Sequence, residues 1–103
     1  MEIYQLRAFV TVAQLGHLTR AAEILHVTQP AVTGQIKALE EELGLALFDR
    51  KPGRITLTKA GERLMPEAQQ VLASAGALLG KAKELKGDVS GVIVVGTLGD
   101  PDQ

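Results

Sequence analysis

Apolar residues recur at helical spacing from the start of the chain: Ile3, Leu6, Phe9, Val10 and Ala13. Gly16 follows and ends that predicted helix. A second, short helix fits Leu18 to about Leu25, with Ala21, Ala22 and Leu25 on its apolar side. Adjacent alanines at 21 and 22 predict another helix passing close by. No Gly or Pro marks the next break, yet His26-Val27-Thr28 is short enough for a tight corner between two helices. Thr28 is a good N-cap, and Pro30 then falls in the first turn, where its missing N–H costs nothing. Val32, Ile36, Leu39 and Leu43 form one buried stripe on this third helix, and Gly44 is its expected C-terminal stop.

The pattern then changes period. Leu45 to Asp49 and Ile55 to Leu57 read as two short strands around Arg50-Lys51-Pro52-Gly53-Arg54. Pro-Gly at the tip predicts a β-hairpin with basic residues at its end. Thr58 caps a fourth helix expected to run to about Lys86, roughly 40 Å at about 1.5 Å per residue. Its apolar residues, Leu64, Ala68, Val71, Ala75, Leu78, Ala82 and Leu85, alternate spacings of four and three, with Met65, Leu72 and Leu79 widening the stripe. Pro66 is expected to bend the helix near its start. Gly87-Asp88-Val89-Ser90-Gly91 is expected to end it, and Val92-Ile93-Val94-Val95 reads as a strand of the kind found inside a parallel sheet.

A long apolar stripe on a helix that projects from a small domain must be covered. The expectation is a homodimer through Leu64, Ala68, Val71, Leu72, Ala75, Leu78, Leu79, Ala82 and Leu85. The predicted organisation is mainly α, with a first domain over 1–57, a dimerising helix over 58–87, and a hinge plus first strand of a further domain over 88–103.

Composition removes most chemistries. The 103 residues include no Cys, which excludes disulfides, thiolate zinc sites and Cys nucleophiles. Aromatics are 3% against 46% hydrophobic residues, so the core is aliphatic. No apolar run is long enough to span a membrane, and the N-terminal residues lack the pattern of a secretory signal. His17 and His26 have no third metal ligand patterned around them, and His26 is expected to pack at the helix corner. Glu40-Glu41-Glu42 reads as a solvated helix end. No phosphate loop or catalytic triad is present, so no residues carry an enzyme reading.

Net charge is −1, but it is unevenly spread. Residues 1–63 hold eight Lys/Arg against seven Asp/Glu, and residues 64–103 hold three against five. Arg50, Lys51, Arg54, Lys59 and Arg63 cluster with one acid, Glu62. Affinity for nucleic acid depends on where cations meet phosphates rather than on the global sum. With the stripe of the third helix inward, Pro30, Gly34, Lys37 and Glu41 point outward, flanked by Ala31 and Thr33. The N-terminal half of that helix, with Thr28, Gln29, Thr33, Gly34 and Lys37, is small, polar and free of acids, as suits entry into a major groove. An ordinary solvated face has the same look. A hairpin bearing Arg50, Lys51 and Arg54 can meet a sugar-phosphate rail, although a charged loop is also common. The two features in this order are harder to obtain by chance.

Residues 18–33 (LTRAAEILHVTQPAVT) and 35–44 (QIKALEEELG) resemble the helix-turn-helix of LysR-type transcriptional regulators. Residues 47–50 (LFDR) and 57–61 (LTKAG) resemble that family's wing and the start of its linker helix. The resemblance runs from about residue 2 to Gly96. It implies a bacterial winged helix-turn-helix, a linker helix that dimerises antiparallel, double-stranded DNA as partner and a cytoplasmic location. It leaves a tetramer open for the full-length protein. It also implies a C-terminal sensor domain, which would hold a small-molecule effector; no cofactor is expected in this chain. The expectation is an excised fragment rather than a naturally short relative. Thr28, Gln29, Pro30, Thr33, Gly34 and Lys37 would then approach the major groove. Arg50, Lys51 and Arg54 would serve the wing, and Thr19 and Arg20 would touch phosphate. Two residues depart from the family. An Arg or similar long polar residue usually stands where this chain has Gly34, which removes one expected contact. A Ser often stands where this chain has His17, so the second helix is expected to lack its usual N-cap. Against DNA binding stands a second reading: a protein-interaction module whose long helix matters and whose helix-turn-helix is vestigial.

Overall fold

The computed structural model describes residues 1–90, with side chains described through 87. The elements are α1 (Ile3–Leu15), α2 (Leu18–Leu25), α3 (Gln29–Leu43), β1 (Phe48–Lys51), β2 (Arg54–Leu57) and α4 (Lys59–Ser90). The strand expected at Val92 to Val95 lies outside the described residues. The chain divides after Leu72 into two compact units.

The first unit packs α1, α2 and α3 against one another and joins the wing to them. Phe9, Val12, Val32, Ile36, Leu39 and Leu47 are fully buried. The expected stripe of α1 needs amending: Ala8 and Val12 are buried while Ile3 is exposed. Ala21 and Ala22 are both buried, as the close approach of α2 to its neighbours requires. Phe9 meets Phe48 edge to face, with ring centroids 5.7 Å apart, which joins α1 to the base of the wing. Such a pair contributes about 0.5–1.5 kcal/mol beyond its buried area.

Helix ends show which sequence signals were sufficient. Gly16 and Gly44 take the left-handed conformation and their N–H groups donate to Val12 and Glu40 carbonyls at 2.7 and 2.8 Å. The α2–α3 corner uses His26 in the same role, at φ 60, without the glycine that such a cap favours. His26 is exposed, which corrects its expected role as a packing residue. His17 also corrects an expectation. Its Nδ1 accepts from the Arg20 N–H at 3.2 Å, so α2 does have a side-chain N-cap. Thr28 Oγ1 accepts from the Ala31 N–H at 3.2 Å, as expected.

The hairpin runs nearer its basic tip than expected, since β1 begins at Phe48 rather than Leu45 and β2 at Arg54 rather than Ile55. Leu45 is exposed and outside the strand. Lys51 pairs with Arg54 across the Pro52-Gly53 turn, and Gly53 sits at φ 72. Pro followed by a residue of positive φ is the pairing that a type II turn favours.

Two corrections concern the third and fourth helices. Leu43 is 39% exposed, on the rim of a groove of about 170 Å³ beside Leu6, Phe9, Leu39 and Ala68, rather than in the stripe's core. The compact first unit runs through Leu72. Leu64, Met65 and Leu72 pack on its core and Ala68 is buried within it. Finally, α4 continues through Gly87 to Ser90 instead of ending near Lys86. Pro66 lies within the helix.

Thr58 anchors α4. Its N–H donates to the Leu47 carbonyl at 3.0 Å, and its Oγ1 donates to Ala46 O at 2.6 Å and accepts from the Gly61 N–H at 3.0 Å. This draws the first turn of α4 onto Leu47. A Cβ on Gly61 would come within 2.2 Å of Leu47 O, so this position has no room for a side chain.

Candidate nucleic-acid interface

All of the residues expected to meet DNA belong to the first unit. On α3, Gln29, Pro30, Gly34 and Lys37 are exposed, as the outward face requires. A Cβ at Gly34 would meet nothing within 4 Å. Thr33 is the departure. It is half-buried, and its Oγ1 is shielded from solvent with no hydrogen-bond partner among the described residues. A hydroxyl shielded in this way is not offered to a base edge in this structure. Thr28 is exposed, with its hydroxyl already engaged as the N-cap.

The wing is positioned by a residue that the sequence reading left to solvent. Glu40 Oε2 accepts from the backbone N–H groups of Leu47 and Phe48, at 2.7 and 3.3 Å. A carboxylate receiving two N–H groups forms charge-assisted hydrogen bonds, stronger than neutral ones. Glu40 therefore fixes the entry into β1 relative to α3. Its neighbour Glu42 pairs with the Met1 amine at 2.8 Å, while Glu41 is exposed. A carboxylate within a run of three gives no sequence signal that it turns back onto the backbone.

Antiparallel pairing sorts the wing's cations. Arg50 lies opposite Ile55 and Lys51 opposite Arg54. Side chains alternate between the faces of a strand. Arg50 thus shares a face with Phe48, Ile55 and Leu57, while Lys51 and Arg54 share the other with Asp49 and Thr56. Where the wing meets the α1–α2 junction, an open cleft of about 270 Å³ is lined by His17, Thr19, Arg50, Lys51 and Arg54. The structure thus brings Thr19 together with the three wing cations. It does not bring Arg20, or the outward residues of α3, into that cleft. Arg20 is exposed on the first turn of α2. Among the described residues, no ion pair neutralises Arg50, Lys51 or Arg54. The described residues also contain no cluster of His, Cys, Asp or Glu suited to a metal.

Residues 3–62 match the model of the bacterial regulatory helix-turn-helix proteins of the lysR family. The chain belongs to the LysR family. An uncharacterized LysR-type relative in this comparison, an HTH-type transcriptional regulator in the ibpB-leuC intergenic region of Azotobacter vinelandii, is 41% identical over 94% of this chain and 67% of its own length. Among solved structures, a CbnR DNA-binding domain in complex with DNA is 39% identical, with a TM-score of 0.77 over 82% of this chain and 98% of that one. A hydrogen-peroxide-bound mutant of OxyR from Corynebacterium glutamicum is 37% identical, with a TM-score of 0.81 over 86% of this chain and 28% of its own. This LysR chain spans 23–34% of the length of several other curated relatives it matches. Its mainly α winged helix-turn-helix, with the long helix after the wing, is the fold that the resemblance implied. No described helix is long and apolar enough to cross a membrane.

Proposed function

We propose that this LysR-family chain binds double-stranded DNA as the recognition module of a bacterial transcriptional regulator. The observation that carries the reading is the outward face of α3. Gln29, Pro30, Gly34 and Lys37 are exposed there, with no acid before Glu40, in the same unit as an unneutralised cationic wing. Small and amide side chains at the start of a helix allow deep entry into the major groove, where Gln29 can pair with an adenine edge and Lys37 can reach guanine or phosphate. Arg50, Lys51 and Arg54 supply backbone contacts beside the groove, and Thr19 and Arg20 add phosphate contacts at the start of α2. The solved DNA complex of a relative supports this reading of the whole domain.

The second half of α4 supplies the dimer contact in this reading, through Ala75, Leu78, Leu79, Ala82 and Leu85. Two copies place two recognition helices on one duplex, which matches a two-fold symmetric target. A sensor domain outside this chain would take the small-molecule effector, and the assembled regulator would work in the cytoplasm without catalysing a reaction.

The test is a salt titration of binding to mixed-sequence duplexes, comparing the wild type with Arg50→Ala/Arg54→Ala. The variant is expected to weaken all sequences similarly and to flatten the log–log salt slope by about one to two units. Binding by the wild type that is absent, or independent of salt, favours a protein-interaction module instead.

A further inference from the structure

His17 stands where the LysR family often has Ser, and its ring does more than a hydroxyl can. Nδ1 accepts the Arg20 N–H at 3.2 Å, so Nδ1 carries no proton. The neutral ring must then carry its proton on Nε2. That N–H lies across the ring from the capped helix end, and among the described residues nothing accepts it. The ring is exposed and lines the cleft with Thr19, Arg50, Lys51 and Arg54. The junction that holds it lies beside the wing: a Cβ placed on Gly16 would be 4.0 Å from the carbonyl oxygen of Ile55 in β2. A cleft of about 270 Å³ with unneutralised cations and a spare neutral donor suits a phosphate group.

We infer that His17 is a DNA-backbone ligand: the cap locks its tautomer so that Nε2–H donates to a phosphodiester oxygen seated between the α1–α2 junction and the wing. The inference rests on the DNA-binding reading and adds to it a contact that joins α2 and the wing on one phosphate. The phosphate's charge is met by Arg50 and by Lys51 and Arg54 at the cleft's edge, while His17 contributes direction rather than charge. The cap thus places a donor that a Ser at this position, with its hydroxyl oxygen accepting from the helix, would hold too short to extend into the cleft.

The test uses the full chain and a set of duplexes in which single phosphodiesters are replaced by neutral methylphosphonates. His17→Ser keeps a cap acceptor and removes Nε2–H. Its affinity is expected to fall about three- to tenfold on every sequence, the factor carried by one hydrogen bond. One methylphosphonate position should weaken the wild type more than it weakens His17→Ser, whose smaller loss is the charge that Arg50, Lys51 and Arg54 no longer meet. In the wild type, nitrogen-15 spectra should show a bare Nδ1 and a protonated Nε2, whose hydrogen exchanges more slowly once DNA is added. Equal affinity of the two proteins, equal methylphosphonate penalties at every position, or a proton on Nδ1 would overturn the inference while leaving DNA binding intact. Failure of the wild type to bind any duplex would overturn both.

Discussion

From Leu64 to Leu72, the apolar side chains of α4 are spent on the core of the first unit: Ala68 is 5% exposed, and Leu64, Met65 and Leu72 pack against the buried cluster. From Leu78 to Leu85 the same period continues, yet Leu78, Leu79 and Leu85 are 72%, 65% and 59% exposed. Val71, at the end of the first unit, is 40% exposed. The repeat of four and three is therefore one pattern with two fates. Periodicity states that a helix has an apolar side; it does not state what covers that side. In the first half the cover is α1, α3 and the wing's base within the same chain. In the second half the described chain offers none, and full cover of each leucine would contribute up to about 1.5–3 kcal/mol before the cost of association is subtracted. The exposed second half is therefore the part of the stripe on which the dimer proposal rests.

A charge placed in each half breaks the comparison most directly. Ala68→Asp puts a carboxylate into the buried cluster and is expected to cost on the order of 3–5 kcal/mol, enough to unfold most of a small domain. Leu78→Asp is expected to leave thermal unfolding of the first unit unchanged while ultracentrifugation shows monomer. A stable Ala68→Asp would mean that the first half is not the domain's own core. A persistent Leu78→Asp dimer would place the interface away from the second half of α4.

Two glycines sharpen the contrast on a smaller scale. At Gly61 a Cβ would meet Leu47 O at 2.2 Å and Leu57 Cδ2 at 2.9 Å, whereas at Gly76 it would meet nothing within 4 Å. Gly61→Ala should therefore destabilise the first unit by about 1–3 kcal/mol, as forced overpacking does, read as a lower melting temperature. Gly76→Ala should instead raise helix content by far-UV circular dichroism, in line with a propensity gain of about 1 kcal/mol. If Gly76→Ala weakens dimerisation, the second half packs backbone to backbone across the interface. That finding would add Gly76 to the contact.

Much of this was legible in the sequence, and the failures have physical causes. Gly16, Gly44, Thr28 and Pro30 announced helix ends because each is chemically suited to a terminus. His26 did not, since histidine takes the left-handed conformation far less readily than glycine and so is a weak stop signal in sequence. At His17 the residue type hides the cap: short oxygen-bearing side chains are the usual N-caps, but an imidazole nitrogen reaches the same N–H. Glu40 could not be told from Glu41 and Glu42 before α3 and β1 were placed, because its partners lie seven and eight residues onward. Apolar residues place the wing's strands too far from the tip, because the ladder runs on past Phe48–Leu57 and Asp49–Thr56 to Arg50–Ile55 and Lys51–Arg54. Along α3 the outward Pro30, Gly34, Lys37 and Glu41 are exposed, while Thr33, expected to flank them, is half-buried and Leu43, expected in the buried stripe, is exposed; both sit at the stripe's margin.

That margin offers the smallest test. Thr33 and Gly34 are neighbours on α3, one turned partly inward and the other fully outward, so they reproduce on adjacent residues the contrast that α4 spreads over its length. Thr33 shields an Oγ1 that has no partner, which is an uncompensated burial. Thr33→Val keeps the shape, removes the unsatisfied oxygen, and should raise the melting temperature slightly while leaving DNA preference unaltered. A changed base preference would show that Thr33 turns outward on DNA and contacts a base after all. Gly34→Ala meets open space and should stabilise the free domain by a few tenths to about 1 kcal/mol, through helix propensity and a less flexible unfolded chain. Gly34→Arg should fold equally well and change the sequences recovered in a binding-site selection, because a bidentate arginine–guanine pair is worth about 1–3 kcal/mol of discrimination. If Gly34→Ala lowers the melting temperature, the outward register of α3 fails, and with it the assignment of Gln29 and Lys37. If stability rises but DNA binding collapses, the register stands, and Gly34 is there to let the helix backbone approach the DNA without a side chain between them.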